Sequence, residues 1–448
     1  MSRDTLHVSH PRVWSLAGPI ILSNISVPLV GAVDTAVVGH LPGPEYIGAV
    51  ALGALIFSFL YWGFSFLRMG TTGFTARALG AGDHPEVCRI LARMLVLALL
   101  FGILVILLGR PLVQFALEII DSTPRVEQLA VEYAYIRMFS APATLCIYVF
   151  TGVLIGLQNT RLVFLLQVVL NVTNILLDLL FVPVLNFGVA GVAWASLIAE
   201  YTAAILGCWL MRDHIFGAIN MQHRSEIFSL KHFAALMRTN SHIFVRTLCL
   251  VFSFAFFTAQ GAKLGEMILA ANTILLQLQS IMAYGLDGFA HAAEALTGSA
   301  YGAKNESRFR DAVRITTKWA VALAACLSVI YFALGEQILG LFSNQQAILA
   351  TASTYLPWMI VSPLVSVWSF QFDGIFIGVG HTRQMRNAML VSTLGYLGLV
   401  WLLLPHLGNH GLFLALTLFM ILRAVTLWYY FPGIKRSIYV ARHIHETS

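Results

Sequence analysis

Charge is scarce in this chain. Only 11% of its 448 residues are Asp, Glu, Lys or Arg, against about 25% in a soluble domain. A water-exposed fold of this length would need far more polar surface, so a soluble protein is excluded. The net charge of +6 does not imply a nucleic-acid partner, because the basic residues are not gathered on any soluble domain. Cysteine is scarce too. Cys88, Cys146, Cys208, Cys249 and Cys326 stand singly in or beside apolar runs, so neither a disulfide framework nor a metal site follows. No GxxxxGK[ST] motif occurs, and no soluble segment could house a nucleotide-binding domain, which leaves ATP out as an energy source. No DDxxD-like cluster is present to hold magnesium on a diphosphate, which counts against intramembrane prenyl transfer.

Apolar residues fill the space that charge leaves. They make up 58% of the chain, the mean hydropathy is +0.80, and long apolar runs recur from end to end, which rules out a cleaved leader as the explanation of the first. The runs predict twelve membrane spans, at 13–40, 47–69, 91–112, 127–157, 161–184, 189–211, 241–262, 267–297, 314–336, 347–379, 385–407 and 411–431. The expected fold is therefore an all-α polytopic membrane protein. With the N-terminus cytoplasmic, the inner segments collect Arg77, Arg89, Arg212, Arg224, Lys231, Arg238, Lys304, Arg308, Arg310, Arg314, Arg383 and Arg386. The outer loops hold Arg110, Arg125 and Lys263. That asymmetry sets both termini in the cytoplasm and accounts for the basic balance.

The chain is also a repeat. TARALGAGD (75–83) matches TGSAYGAKN (297–305), and GVLIGLQNTR (152–161) matches GIFIGVGHTR (374–383), both at an offset of 222. Pro183 and Pro405 keep the same offset, and Met138/Pro142 pair with Met359/Pro363 at 221. Two copies of six spans share one orientation, so the expectation is two six-helix lobes related by a pseudo-two-fold axis along the membrane normal. The boundaries expected are an N-terminal lobe at 1–211, a cytoplasmic linker at 212–240 and a C-terminal lobe at 241–448. The linker places Ile227, Phe228, Leu230, Phe233, Leu236 and Met237 at helical spacing among basic residues, as a helix lying on the inner leaflet would.

The polar residues inside the spans are few and patterned. Gln167, Asn171, Asn174 and Asp178 are spaced 4, 3, 4 along the fifth span, which puts them on one helix face. A carboxyl there is expensive, roughly 2.5–3.5 kcal/mol on insertion scales, and marks a cavity or a partner. Asp34 in the first span reaches similar depth. At the repeat offset Asp34 falls opposite Phe256, Asn174 opposite Tyr396 and Asp178 opposite Val400, so the acids belong to the first half alone. If the fold brings two such carboxyls together, like-charge repulsion and partial desolvation would leave at least one of them able to exchange a proton near neutral pH. The Asn174 amide can serve either protonation state, and Ser196 with Glu200 adds an i, i+4 pair in the sixth span. Pro19 breaks the backbone ladder of the first span and predicts a kink, hence a candidate hinge.

A second stripe runs along the eighth span: Gln277, Ser280, Tyr284, Asp287, His291 and Glu294. With Arg68, Arg246 and Asp373 at comparable depth, its inner end reads as a gate or ion-pair network, or less readily as a proton path. Gln167, Asn171, Glu200 and Tyr284 are candidates for the cavity wall. Aromatic and Met residues in the spans suit flat lipophilic cations.

These features together resemble the multidrug and toxic compound extrusion (MATE) family. The VDTAVVGHL ending of the first span and the small-residue loops after spans two and eight carry the likeness. Asp34, Asn174, Asp178 and LDGFAHAAEALTGSAYGA (286–303) are similar to its DNA-damage-inducible branch. The resemblance implies export of small lipophilic cationic drugs or toxins from a bacterial cytoplasmic (inner) membrane, by a monomer with no enzymatic activity and no cofactor, in exchange for protons or sodium. It places proton or cation binding at Asp34, Asn174, Asp178 and Ser196. Another bacterial branch has an acid in span seven for sodium; SHIFVRTLCLVFSFAFFTAQ (241–260) has none. A lipid-linked precursor flippase of the same superfamily is the alternative, and the acidic polar stripe counts against it.

Overall fold

The computed structural model describes residues 8–119, 123–219 and 229–446. Among them there is no strand. The helices are α1 (His10–Val38), α2 (Pro44–Gly63), α3 (Phe66–Ala81), α4 (His84–Ile119), α5 (Pro124–Arg137), α6 (Ala141–Gly156), α7 (Thr160–Phe181) and α8 (Gly188–Leu210). They continue with α9 (Arg212–Ile219), α10 (Leu230–Lys263), α11 (Glu266–Gly302), α12 (Glu306–Phe342), α13 (Gln346–Val379), α14 (Thr382–Leu407) and α15 (Asn409–Glu446). Among the described residues, twelve segments are long and apolar enough to cross a membrane, at the places the apolar runs predict. Two of them are composite: α2 with α3, and α5 with α6. In the expected surface helix, Ile227 and Phe228 lie outside the described residues; Leu230, Phe233, Leu236 and Met237 open the long α10.

The chain divides into two compact units. One comprises Met1–Ile21, Leu79–Gly82 and Arg238–Ser448; the other comprises Leu22–Ala78 and Asp83–Met237. Residues 10–21, which the sequence counts with the first half, thus belong with the second. The cause is packing. Trp14 meets Phe289 and Trp319 edge-on, each at 5.2 Å between ring centroids. Val13, Leu16 and Ala17 are buried with Met282, Leu286 and Phe289. Gly288 leaves room there for the Ala17 carbonyl and Ile21.

The repeat is visible in the backbone. Gly82 and Lys304, Gln158 and Gly380, and Asn186 and Gly408 form three pairs 222 positions apart, and all six residues have positive φ, between 52° and 79°. Each of the first two pairs also repeats its hydrogen bonds. Asp83 N donates to Ala78 O at 3.0 Å and Asn305 N to Ala300 O at 3.1 Å; Asn159 N donates to Leu154 O at 2.8 Å and His381 N to Phe376 O at 3.0 Å. These close the helix C-termini. Asp83 and Asn305 then cap the next helices, accepting from Glu86 N at 2.9 Å and Arg308 N at 3.0 Å.

Helix contacts repeat as well. A side chain at Gly152 or Gly156 would strike the Arg68 or Thr72 carbonyl; one at Gly374 or Gly378 would strike the Ala290 or Glu294 carbonyl. Small residues four apart let two membrane helices approach backbone to backbone. The same device holds α6 on α3 and α13 on α11.

Candidate ion and substrate site

The fourth span is broken at its centre. Arg137 ends α5, Met138–Ser140 form a 3₁₀ turn, and α6 resumes with Pro142 in its first turn. Proline there cannot donate a backbone hydrogen bond. Hydroxyls repair the gap: Ser140 Oγ donates to Arg137 O at 2.7 Å, and Thr144 Oγ1 lies 3.1 Å from Ser140 O. Broken backbone at membrane depth needs such partners. The break ends a helix on a buried arginine, and the C-terminal end of a helix dipole favours a cation.

Arg137 is 9% exposed and pairs with Glu200 of α8 at 3.0 Å. Glu200 also accepts from Thr144 Oγ1 at 2.7 Å. Arg137 Nη1 donates to Ser140 Oγ at 3.3 Å, and the Tyr61 hydroxyl lies 3.0 Å from that oxygen. The guanidinium stands 5.7 Å from the Phe57 ring centroid. Residues from α2, α5, α6 and α8 thus enclose one ion pair.

Beside it are the two acids. Asp178 on α7 is fully buried, and Asp34 on α1 is half-buried. Their carboxyls lie within hydrogen-bonding reach of each other, and Arg137 is within electrostatic reach of both. Asn174, on the same face of α7, orients the pair. With its amide turned to satisfy its neighbours, the nitrogen donates to Asp178 Oδ2 at 3.3 Å, and the oxygen accepts from Ser196 Oγ at 3.2 Å and Ser196 N at 3.3 Å. Asp34, Asn174, Asp178 and Ser196 are therefore one cluster.

The rest of the α7 stripe runs away from the acids as a hydrogen-bonded chain. Gln167 Nε2 donates to Asn171 Oδ1 at 2.8 Å, Asn171 Nδ2 to Ser26 Oγ at 2.8 Å, and Ser26 Oγ to Ser23 O at 2.7 Å. It ties α7 to α1 a helical turn or two from Asp34. Pro19 lies on the part of α1 that belongs to the other unit, in a helix continuous from His10 to Val38.

At the corresponding place of the second repeat the acids give way to rings. Phe256 meets Tyr396 edge-on at 6.1 Å, and Tyr396 meets Phe419 at 5.3 Å. Tyr396 is fully buried and Val400 nearly so. One half presents carboxyls where the other is closed with apolar packing.

The second half carries its charge elsewhere. Asp373 Oδ2 accepts from both Arg246 and Arg423, the latter at 2.6 Å, and all three side chains are buried. Asp287 is within electrostatic reach of Arg423 and of Tyr284. Glu294 is buried and His291 half-buried on the same helix. Arg68 belongs to the other unit, near Tyr148. A cleft of about 560 Å³ in this unit is lined by Leu364, Trp368, Phe372, Trp428 and Phe431, and no lining residue is charged.

Sequence reading missed Arg137, Arg423, Ser26, Ser140, Thr144 and Tyr61. Each arginine is a lone charge within an apolar run, and that was the available signal.

The MatE family model matches residues 19–180 and again 243–402. The chain belongs to the MatE family. The two matches begin 224 positions apart, close to the repeat offset. The chain is 41% identical over 420 residues to DNA damage-inducible protein F of Escherichia coli (strain K12), covering 94% of this chain and 91% of that one. It is 22% identical over 387 residues to the probable multidrug resistance protein NorM of Acinetobacter baylyi, 85% of this chain and 86% of that one. In fold it is similar to an outward-facing multidrug resistance MATE family transporter of the MOP superfamily, with a TM-score of 0.87, 21% identity and 96% of each chain covered. A MOP superfamily transporter from Pyrococcus furiosus gives the same score at 19% identity, again over 96% of each chain. As a MatE protein the chain is a membrane transporter, not an enzyme, and its relatives include multidrug transporters.

Proposed function

We propose that this transporter is a secondary active multidrug exporter of a bacterial inner membrane, with both termini cytoplasmic, exchanging small lipophilic cations for protons by rocking of its two halves. The observation that carries the reading is the Asp34–Asp178 pair. Asp34 Oδ1 and Asp178 Oδ1 are buried and lack a donor, and the two carboxyls lie within reach of each other. A single shared proton supplies that donor. Asn174 and Ser196 hold the pair in place, and the Gln167–Asn171–Ser26 chain ties its helix to α1. With the pair ionised, the site attracts a cationic drug. With the pair protonated, the charge is gone, the cost of an apolar setting falls by several kcal/mol, and α1 packs closer by bending at Pro19. Proton and drug then favour different shapes of one half, and each displaces the other.

Dye efflux from everted vesicles tests this directly. An imposed pH gradient should drive transport in the absence of sodium. Transport that runs on sodium with the pH gradient collapsed would overturn it, since the same four oxygen-bearing side chains also suit a small hard cation.

A further inference from the structure

The cleft of about 560 Å³ lies wholly within Arg238–Ser448, and neither acid of the pair takes part in it. Its floor is α13, which packs against both α12 and α15 while those two scarcely meet. Trp368 on the floor and Trp428 on the α15 wall are exposed along it. On α15 the lining runs from Ile421 to Phe431, about 15 Å at helical rise, which is the hydrocarbon depth of one leaflet. Rings close one end: Phe431 stacks on Phe309 at 6.3 Å and meets Phe372 edge-on at 5.8 Å. The same end is basic. Lys435 Nζ stands 5.4 Å from the Phe431 ring centroid, and Arg314 is exposed near the start of α12. Gln371 is the anomaly. It lines the cleft at 3% exposure, and neither its Nε2 nor its Oε1 has a hydrogen-bond partner among the described residues. A buried amide left unpaired is costly, so the group that answers it belongs to whatever fills the cleft.

We propose that this cleft binds an anionic phospholipid drawn from the leaflet at the basic helix ends. The order of its parts is the order of a lipid's. One acyl chain lies along the apolar length between α12 and α15. The Gln371 amide donates to an ester carbonyl, and the phosphate rests between Lys435 and Arg314, as headgroups do in basic pockets between membrane helices. Trp368 and Trp428 stand near that end, where amphipathic rings suit the boundary of hydrocarbon and water. A lipophilic cation is served poorly here. No carboxylate lines the cleft among the described residues, and Glu306, the acid on that face of α12, is paired with Arg310 at 2.8 Å. The inference does not depend on which ion drives transport, because the cleft shares no residue with the acid pair.

The test is native mass spectrometry of the detergent-solubilised full chain, titrated with dioleoyl phosphatidylglycerol or dioleoyl phosphatidylcholine. Wild type should hold one phosphatidylglycerol at least about tenfold more tightly than phosphatidylcholine, as two basic side chains at a headgroup allow. Arg314→Gln with Lys435→Gln should bring the two lipids to equal affinity. Gln371→Leu should weaken phosphatidylglycerol about threefold to tenfold, the range of one hydrogen bond. Ala424→Phe fills the cleft from the α15 wall and should abolish the bound lipid. Gln371→Leu exchanges an unpaired buried amide for an apolar group of similar size, so it keeps the test open where Ala424→Phe does not fold. Wild type that holds both lipids equally overturns the proposal, as does phosphatidylglycerol bound unchanged in folded Gln371→Leu or Ala424→Phe. A cleft that takes tetraphenylphosphonium in preference to phosphatidylglycerol, with Ala424→Phe excluding it, overturns the proposal as well.

Discussion

Asp178 is a fully buried carboxyl, held by an amide and a second carboxyl. Replacing it with Asn keeps volume and removes the proton. Asp178→Asn is expected to reduce gradient-driven efflux to background while leaving insertion and folding intact; drug resistance at wild-type level in cells expressing the variant normally would contradict this. Removing one member of the neighbouring ion pair is a different perturbation. Glu200→Ala strands a buried guanidinium, so it should destabilise the protein by about 3–5 kcal/mol, read as a fall in the thermal midpoint of the detergent-solubilised protein. The stripe from Gln167 to Asp178 was legible because a helix repeats every three or four residues and apolar neighbours make each polar residue conspicuous. Arg137 was not, because its meaning depends on Glu200, 63 positions away, and on hydroxyls that no spacing rule connects to it.

At the scale of elements, the two repeats use the same hardware. Gly380 and Gln158 occupy equivalent left-handed turns with φ of 79° and 59°. Left-handed backbone costs an L side chain roughly 1–2 kcal/mol, so Gly380→Ala should lower stability by about 1 kcal/mol, read as a fall in the unfolding midpoint against wild type. Packing at the glycine pairs is less forgiving. Gly374→Leu would drive a side chain into the Ala290 carbonyl, with an expected loss of more than 2 kcal/mol and poor recovery of folded protein. The spans and the repeat could be read in advance because apolar period and turn residues are local signals. The break at 138–140 could not, since it is sustained by Ser140 and Thr144 hydroxyls. Nor could the placing of residues 10–21, which Trp14 and its aromatic partners decide.

Across the whole molecule, duplication supplies two halves and divergence gives them different interiors. Acids and amides occupy the first where Phe256, Tyr396 and Val400 close the second. Ion coupling is therefore expected from one half alone. The claim at the centre of this account is that proton and drug compete through Asp34 and Asp178. Drug affinity of the purified protein, measured across about pH 5–8, tests it most directly, because protonation removes the charge that draws the cation. Affinity should weaken as pH falls in wild type, and Asp34→Asn should flatten that dependence. An affinity that stays constant over the range, or a variant that follows the wild-type curve, would contradict the coupling.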